Sequence, residues 1–366
     1  MSYSSRREQR RTKMRMGKIT QTAWQRSVRN RLHTGKENML FGPSPWETCS
    51  GFVSEAGERY VWSDACVVGD GARTGYYAVY HAVGELAARG VCAEGAAVRV
   101  LLPPGSEEEM LGGIAAGADC ACRELGIQAT GIQGGVSGAV LDTVVFASAA
   151  GIMQGQTQAQ TNDCVKTTYD RQREHQEIIL CGYAGLEGTL RIVDAAREEL
   201  ETRFVPAFLE QTEALTKALI RPRQIVEVFA QDEEAQVRQI GEGGVLAALW
   251  ELAETAHIGF EISMPQILLK QETVEICEAF RLNPYLMTST GSYIVLTSKA
   301  ENVIRALEQA GVRASRLGTG NQQNARLIRN GEDVRYLDRP APDEMERWRL
   351  ERRRNDDEKT EGKRGK

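Results

Sequence analysis

The most regular alternation of apolar and polar positions runs from Gly75 to Gly105. Val79, Val83, Leu86 and Ala87 fall at helical spacing and predict an amphipathic helix with one buried stripe. Gly90 ends it, since glycine takes the left-handed conformation that closes many helices. Ala96 to Leu102 is apolar almost throughout and predicts a strand covered on both faces. Pro103, Pro104 and Gly105 stop that strand. Ser106 and Glu109 then have the spacing of a capping box that opens another helix. A helix, a strand and a capped helix are thus the expected core of the first half.

The remaining elements are weaker but ordered. Trp24, Val28 and Leu32 predict a short amphipathic helix within 20–32, and the two prolines of 42–50 predict a loop. Residues 59–65 predict a strand ending near Asp64, followed by a turn at Asp70 and Gly71. The segment 131–138 reads as a glycine-rich loop, and 143–150 as the strand that closes the first unit. From 155 to 173 the chain is polar and without period, as a linker is. Beyond it, strands are expected near 177–181, 259–263, 292–297 and 312–317, and helices over 190–204, 206–219, 245–256, 272–280 and 300–310. Asn330 and Gly331 carry a type I′ hairpin signal, and from Pro342 the chain is Arg-, Glu- and Asp-rich. The expected organisation is a disordered basic arm (1–15), a first domain (16–155), a linker (156–176), a second domain (177–341) and a disordered charged tail (342–366). The fold class is mixed α/β, of the α+β kind.

Composition agrees with this division. A chain of 366 residues holds two domains of roughly 100–200 residues each, and 42% hydrophobic with 26% charged content is that of a globular protein. No apolar run approaches the roughly 20 residues that span a bilayer, and no apolar segment follows the N-terminal arginines. A cytoplasmic chain without membrane contact is expected. The eight cysteines form no CxxC pair and the four histidines no HxxxH, which argues against a zinc site or a disulfide framework. Residues 1–36 carry eleven Lys or Arg and one Glu, against a net charge of −5 overall. Such an arm suits nucleic acid or an acidic partner, but a solubilising extension is the favoured reading and nucleic acid is disfavoured.

Several segments, in order, resemble one family. They are Met16 to Thr20, Gly75 to Gly90, Leu101 to Gly105, Gly185 to Thr189, Glu242 to Gly244 with 248–253, Gln271 to Cys277, Asn283 to Tyr285, and Ser289 to Gly291. On these the chain resembles the aminoimidazole-ribonucleotide synthetase (PurM-like) superfamily, close to the hydrogenase maturation factor HypE, from about Met16 to Leu337. The resemblance implies a two-domain fold that forms a homodimer through its N-terminal domains. It also implies ATP-dependent activation of an amide-type oxygen by phosphoryl transfer, with Mg²⁺ held by carboxylates. Phosphoryl transfer needs positioning and charge neutralisation more than covalent help.

Carried over residue by residue, the resemblance leaves two of four expected magnesium carboxylates, Asp64 and Glu85. Thr48 stands in place of an aspartate in the motif before the first strand, and Gly84 with Glu85 in place of an Asn-Asp pair. In the second domain Arg238 and Gln239 replace a His-Asp pair, and Gly241 a threonine. The nucleotide loop keeps Gly131, Gln133, Gly134 and Gly135 without its His or Glu, though backbone N–H groups in such a loop can still cradle an anion. Each lost anionic ligand removes roughly 1.5–3 kcal/mol of charge-assisted contact. The expected function is therefore ATP- and Mg²⁺-dependent phosphoryl transfer in weakened or lost form, with a non-catalytic dimeric scaffold as the alternative. The chain ends at Lys366 rather than at a cysteine, so carbamoyl transfer to its own terminus is not expected.

Overall fold

In the computed structural model residues 14–33, 38–154, 176–230, 232 and 234–364 are described, and residues 1–13 of the expected arm and 156–175 of the expected linker lie outside them. The first domain has helices α1 (Gln21–Ser27), α2 (Thr74–Ala87) and α3 (Glu108–Leu125). Its strands are β1 (Cys49–Val53), β2 (Arg59–Val68), β3 (Gly95–Leu102), β4 (Gln128–Val136) and β5 (Val144–Ile152). They form one sheet in the order β1-β2-β5-β3-β4, antiparallel except for the β3–β4 pair.

Helix α2 is buried at every position from Thr74 to Ala87 except His81, with Tyr76 and Tyr77 among the largest enclosed side chains. It lies on the face of the sheet to which Val61, Ser63, Ala65 and Val67 point, and the Ser63 hydroxyl donates to the Ala82 carbonyl at 2.6 Å. The other face is uncovered. Strand β3 is accordingly not covered on both faces: Ala96, Val98, Val100 and Leu102 are buried, while Ala97 and Arg99 are exposed. Small alanines disguise this alternation in the sequence.

Two local expectations are corrected. The Ser106 hydroxyl donates to the Pro103 carbonyl at 2.8 Å, closing the proline turn instead of capping α3, which begins at Glu108 without a side-chain cap. Glu108 and Glu109 still occupy the first turn, where carboxylates favour the helix dipole. The stretch from 131 to 136 is no loop; it belongs to edge strand β4, paired in parallel with β3. A Cβ at Gly134 would lie 2.9 Å from the Leu111 side chain of α3, so that glycine admits a packing contact.

The second domain contains helices α4 (Leu186–Ala195), α5 (Arg197–Glu201), α6 (Pro206–Ala214), α7 (Pro222–Phe229), α8 (Gly244–Ala256), α9 (Gln271–Phe280), α10 (Ala300–Gln309) and α11 (Glu344–Arg364). Its strands are β6 (Glu177–Cys181), β7 (Gln236–Gln239), β8 (Gly259–Ser263), β9 (Tyr293–Thr297), β10 (Ala314–Asn321), β11 (Arg326–Asn330) and β12 (Asp333–Tyr336), in the order β12-β11-β8-β10-β6-β9-β7. Here both faces of the central strands are covered. Ile178, Leu180, Ile294 and Leu296 pack with Val245 and Leu249 of α8. Ile179, Cys181, Tyr293 and Val295 pack with Ile225, Val303 and Leu307 on the opposite side. Gly331 takes a positive φ between β11 and β12, as the hairpin signal requires.

The expected disordered tail is instead α11. Met345 and Trp348, one turn apart, are buried against Ile192, Leu209 and Ile276, and Trp348 meets Phe280 edge-on at 6.0 Å. Two large apolar residues at i and i+3 suffice to dock a helix whose other faces are charged. Asp343 anchors its start: one carboxylate oxygen accepts from the Gly243 N–H at 2.7 Å and the other from Met345 N–H at 2.8 Å. Burial pushes the Asp343 carboxyl up from its ordinary 3.8 to about 6 despite those two donors. The folded state then holds a proton that the unfolded chain has released, so this group's contribution is full below about 3.8 and declines as pH rises towards 6. Urea unfolding between those two pH values should show wild-type stability declining more steeply than that of Asp343→Asn; parallel pH profiles would contradict the assignment.

Candidate functional site

Residues 46–49 cross between the two domains and are held by side chains from both. The Trp46 carbonyl accepts from Arg238 at 2.9 Å, and Arg238 also pairs with Glu251 at 3.0 Å. Glu47 forms a bidentate pair with Arg89, with contacts of 2.9–3.1 Å. The Thr48 hydroxyl donates to Glu85 Oε2 at 2.6 Å, and the Cys49 thiol meets the Glu85 carbonyl at 3.5 Å.

Glu85 is the centre of this arrangement. It is 6% exposed, and besides Thr48 its carboxylate accepts from Gln239 Nε2 at 3.1 Å and lies 3.4 Å from His81 Nε2, one helical turn earlier. Gln239 also donates to the His81 carbonyl at 3.0 Å. Burial pushes the Glu85 pKa up, but the hydrogen bonds of His81 and Thr48 and the charge of Arg238 outweigh it, lowering the value from 4.5 to about 2. Gly84 explains how the glutamine fits. A Cβ there would stand 1.8 Å from Gln239 Oε1, so the glycine opens the room that the amide fills. A Cβ at Gly241 would likewise come within 3.2 Å of His81 Nε2.

The substituted positions Thr48, Gly84, Glu85 and Gln239 therefore converge on a single carboxylate. His81 belongs with them, and its i, i+4 spacing to Glu85 was the available signal. The other expected ligand is elsewhere. Asp64 is not at a strand end but in the middle of β2, on the uncovered face, where it accepts a hydrogen bond from Ser148. Ser63, its neighbour, points to α2, so Asp64 and Glu85 lie on opposite sides of the sheet. Gly131, Gln133 and Gly135 share the face of Asp64. Asp64, Ser148, Ala97 and Gly131 form one row across β2, β5, β3 and β4, so three strand spacings, about 14 Å, separate Asp64 from Gly131. Gln133 accepts from Arg99 at 2.7 Å. Gly134 points the other way.

Magnesium needs near-octahedral oxygen ligation and commonly two or more carboxylates or phosphates. The residues present do not fit it. Among the described residues no three His, Cys, Asp or Glu side chains converge on a metal-sized point, and the Glu85 carboxylate is bonded to Thr48 and Gln239. Likewise, Gly131 to Gly135 are part of a sheet ladder, so their backbone does not form the anion cradle expected of a loop.

The two sheets, one open and one doubly covered, joined through the 46–49 segment, define a two-domain α/β protein with the architecture of HypE and ThiL. Residues 173–327 match the family model for the AIR synthase related protein, C-terminal domain. Those residues thus carry a domain of the AIR synthase related type, and the whole chain has the two-domain fold of the HypE and ThiL structures. In sequence it is similar to carbamoyl dehydratase HypE of Rhodobacter capsulatus, 34% identical over 83 residues that cover 23% of this chain and 24% of that protein. The chain thus matches about a quarter of the length of that curated relative. In fold it is similar to a chain of the HypE-HypF complex, with TM-score 0.60, 16% identity, and coverage of 79% of this chain and 93% of the other. It is also similar to HypE in complex with ATP, with TM-score 0.62, 15% identity and coverage of 78% and 86%. A third is AaThiL complexed with AMPPCP and TMP, with TM-score 0.57, 13% identity and coverage of 79% and 89%. Among the described residues no helix is long and apolar enough to cross a membrane.

If Glu85 is a hydrogen-bonded strut, its contribution is full above pH 4.5 and is lost as pH falls towards 2. Glu85→Gln is expected to cost about 1–3 kcal/mol at pH 7, because Thr48 and Gln239 each lose an anionic acceptor. Denaturant titrations should show that cost shrinking on acidification; a cost independent of pH would count against the carboxylate.

Proposed function

We propose that this chain is a divergent PurM-like protein in which magnesium-dependent phosphoryl transfer has been lost and the fold is retained as a dimeric binding scaffold. The observation that carries the reading is the closure of Glu85 by Thr48, Gln239 and His81. A carboxylate in that setting has exchanged the role of ligand for that of an interdomain tie. Breaking the tie to admit a cation leaves two buried polar partners unpaired, at about 1–3 kcal/mol each. ATP bound to one HypE structure of the same fold supports nucleotide binding as an ancestral property. In this chain Gly131 to Gly135 are paired into β4, and the Glu85 carboxylate is held by Thr48 and Gln239, which supports the reading of loss.

The scaffold reading draws on the uncovered face of the first sheet. Phe52, Phe146 and Ile152 are each 37–40% exposed there, and Tyr60 and Trp62 lie beside Phe52 at ring separations of 5.6 and 6.1 Å. A second copy of the same face is the proposed cover, since an isologous contact would bury these rows on both chains at once.

Titration calorimetry with Mg-ATP is expected to give a flat trace up to about 1 mM nucleotide, with no phosphate release above the buffer rate. Micromolar binding that disappears in Glu85→Gln would overturn the loss of the centre. In sedimentation velocity the wild-type chain is expected to run as a dimer and Phe146→Glu as a monomer. A wild-type monomer at about 10 μM would remove the dimer from the proposal.

A further inference from the structure

A cavity of about 670 Å³ lies between the 69–74 turn, the second half of α4 and helix α11. Its volume is in the range of small-molecule sites. It is distant in kind from the Glu85 cluster: none of Thr48, His81, Glu85 or Gln239 lines it, and four arginines do. We propose that this cavity binds a phosphate-bearing small molecule, held by Arg349 and Arg352 of α11.

Three of the four guanidinium groups have their hydrogen bonds accounted for in different ways. Arg191 donates to Glu187 at 3.2 Å and to the Val68 carbonyl at 2.8 Å. Arg353 pairs with Asp142. Arg352 donates to the Ala195 carbonyl at 3.1 Å and lies 4.8 Å over the Trp348 ring, so its contacts bring it no carboxylate. Arg349 is the exception. Its Nη2 reaches Glu346, but Nε and Nη1 are buried without an acceptor, and the neighbouring Trp348 Nε1 is buried without one as well.

Three buried N–H donors on adjacent residues, both lining one cavity, are costly to leave unpaired. The acidic residues at the rim do not serve them. Asp142 is taken by Arg353, Asp194 accepts from the Arg73 N–H at 3.1 Å, and Asp70 from the Thr143 N–H at 3.2 Å. What is missing is an acceptor with several oxygens and negative charge. Nε and Nη1 of Arg349 flank the Nη2 that pairs with Glu346, so each can donate a separate charge-assisted bond to an oxyanion, which a lysine ammonium at that place does not reproduce. Arg352, stacked on Trp348, adds a second charge at the same wall. The helix that supplies these groups lies beyond residues 173–327, which the family model matches.

The proposal does not depend on the reading of Glu85, and its test is run without divalent metal so that the two fail separately. The full-length chain in EDTA is titrated with inorganic phosphate and with pyrophosphate, read by calorimetry and by thermal shift, against citrate and chloride at equal ionic strength. Saturable binding of phosphate or pyrophosphate is expected below about 1 mM. Arg349→Lys, which keeps the charge and removes the Nε and Nη1 donors, and Arg352→Gln should each weaken it at least about tenfold without lowering the ligand-free melting temperature. If Arg349→Lys does not fold, Arg352→Gln decides the matter. No binding to the wild type at about 10 mM phosphate, equal affinity in the folded variants, or equal stabilisation by chloride would overturn the proposal, and preference for citrate would assign the cavity to carboxylates instead.

Discussion

The structure depends on the carboxylate of Glu85. It sits in the interior of the longest-buried helix of the first domain, yet it is the point where a crossing segment and the second sheet both end. Thr48 brings the segment before β1 to it, and Gln239 brings the end of β7. Arg89 with Glu47 and Arg238 with Glu251 and Trp46 hold the same crossing from either side. A buried charge is tolerable only with such partners, because leaving it unpaired costs far more than the pairing gains. The partners that stabilise Glu85 occupy both of its carboxylate oxygens.

The residues around it fit together as one set. A glycine at position 84 is needed for the amide of Gln239, and a glycine at 241 keeps the second-domain turn clear of His81. Neither makes sense alone. Together with Thr48 they surround one buried acid with hydrogen-bond donors from both domains. Arg238 extends the network to Lys18 through Glu251, so the segment around Lys18 is tied to the same place.

Much of this was legible in the sequence, and its limits have physical causes. Helix α2 and strands β6 and β9 were evident, because a helix stripe and doubly buried strands leave strong periods. The hairpin at Asn330 and Gly331 was evident because φ > 0 restricts the residue type. The substituted positions were individually identified, but their convergence was not, since Thr48, Glu85 and Gln239 come from three separate segments. Asp64 misled because alternation along β2 puts it on the opposite face from its neighbours Ser63 and Ala65, and nothing in the residue itself marks the face. Glycines 131 to 135 misled because glycine in an edge strand and glycine in a loop look alike until the partner strand is known. Helix α11 was hidden by its charge: Met345 and Trp348 are few among many polar residues, and docking requires only that they coincide on one side.

The most direct test of the central claim is the behaviour of the Glu85 side-chain carboxyl carbon in an NMR spectrum of selectively labelled protein while Mn²⁺ is added. A carboxylate fully engaged by Thr48, Gln239 and His81 predicts a resonance that keeps its position and linewidth as exposed carboxylates broaden. Selective broadening of the Glu85 signal at low metal concentration would mean that the cation reaches it, and the account of a closed interdomain tie would be wrong.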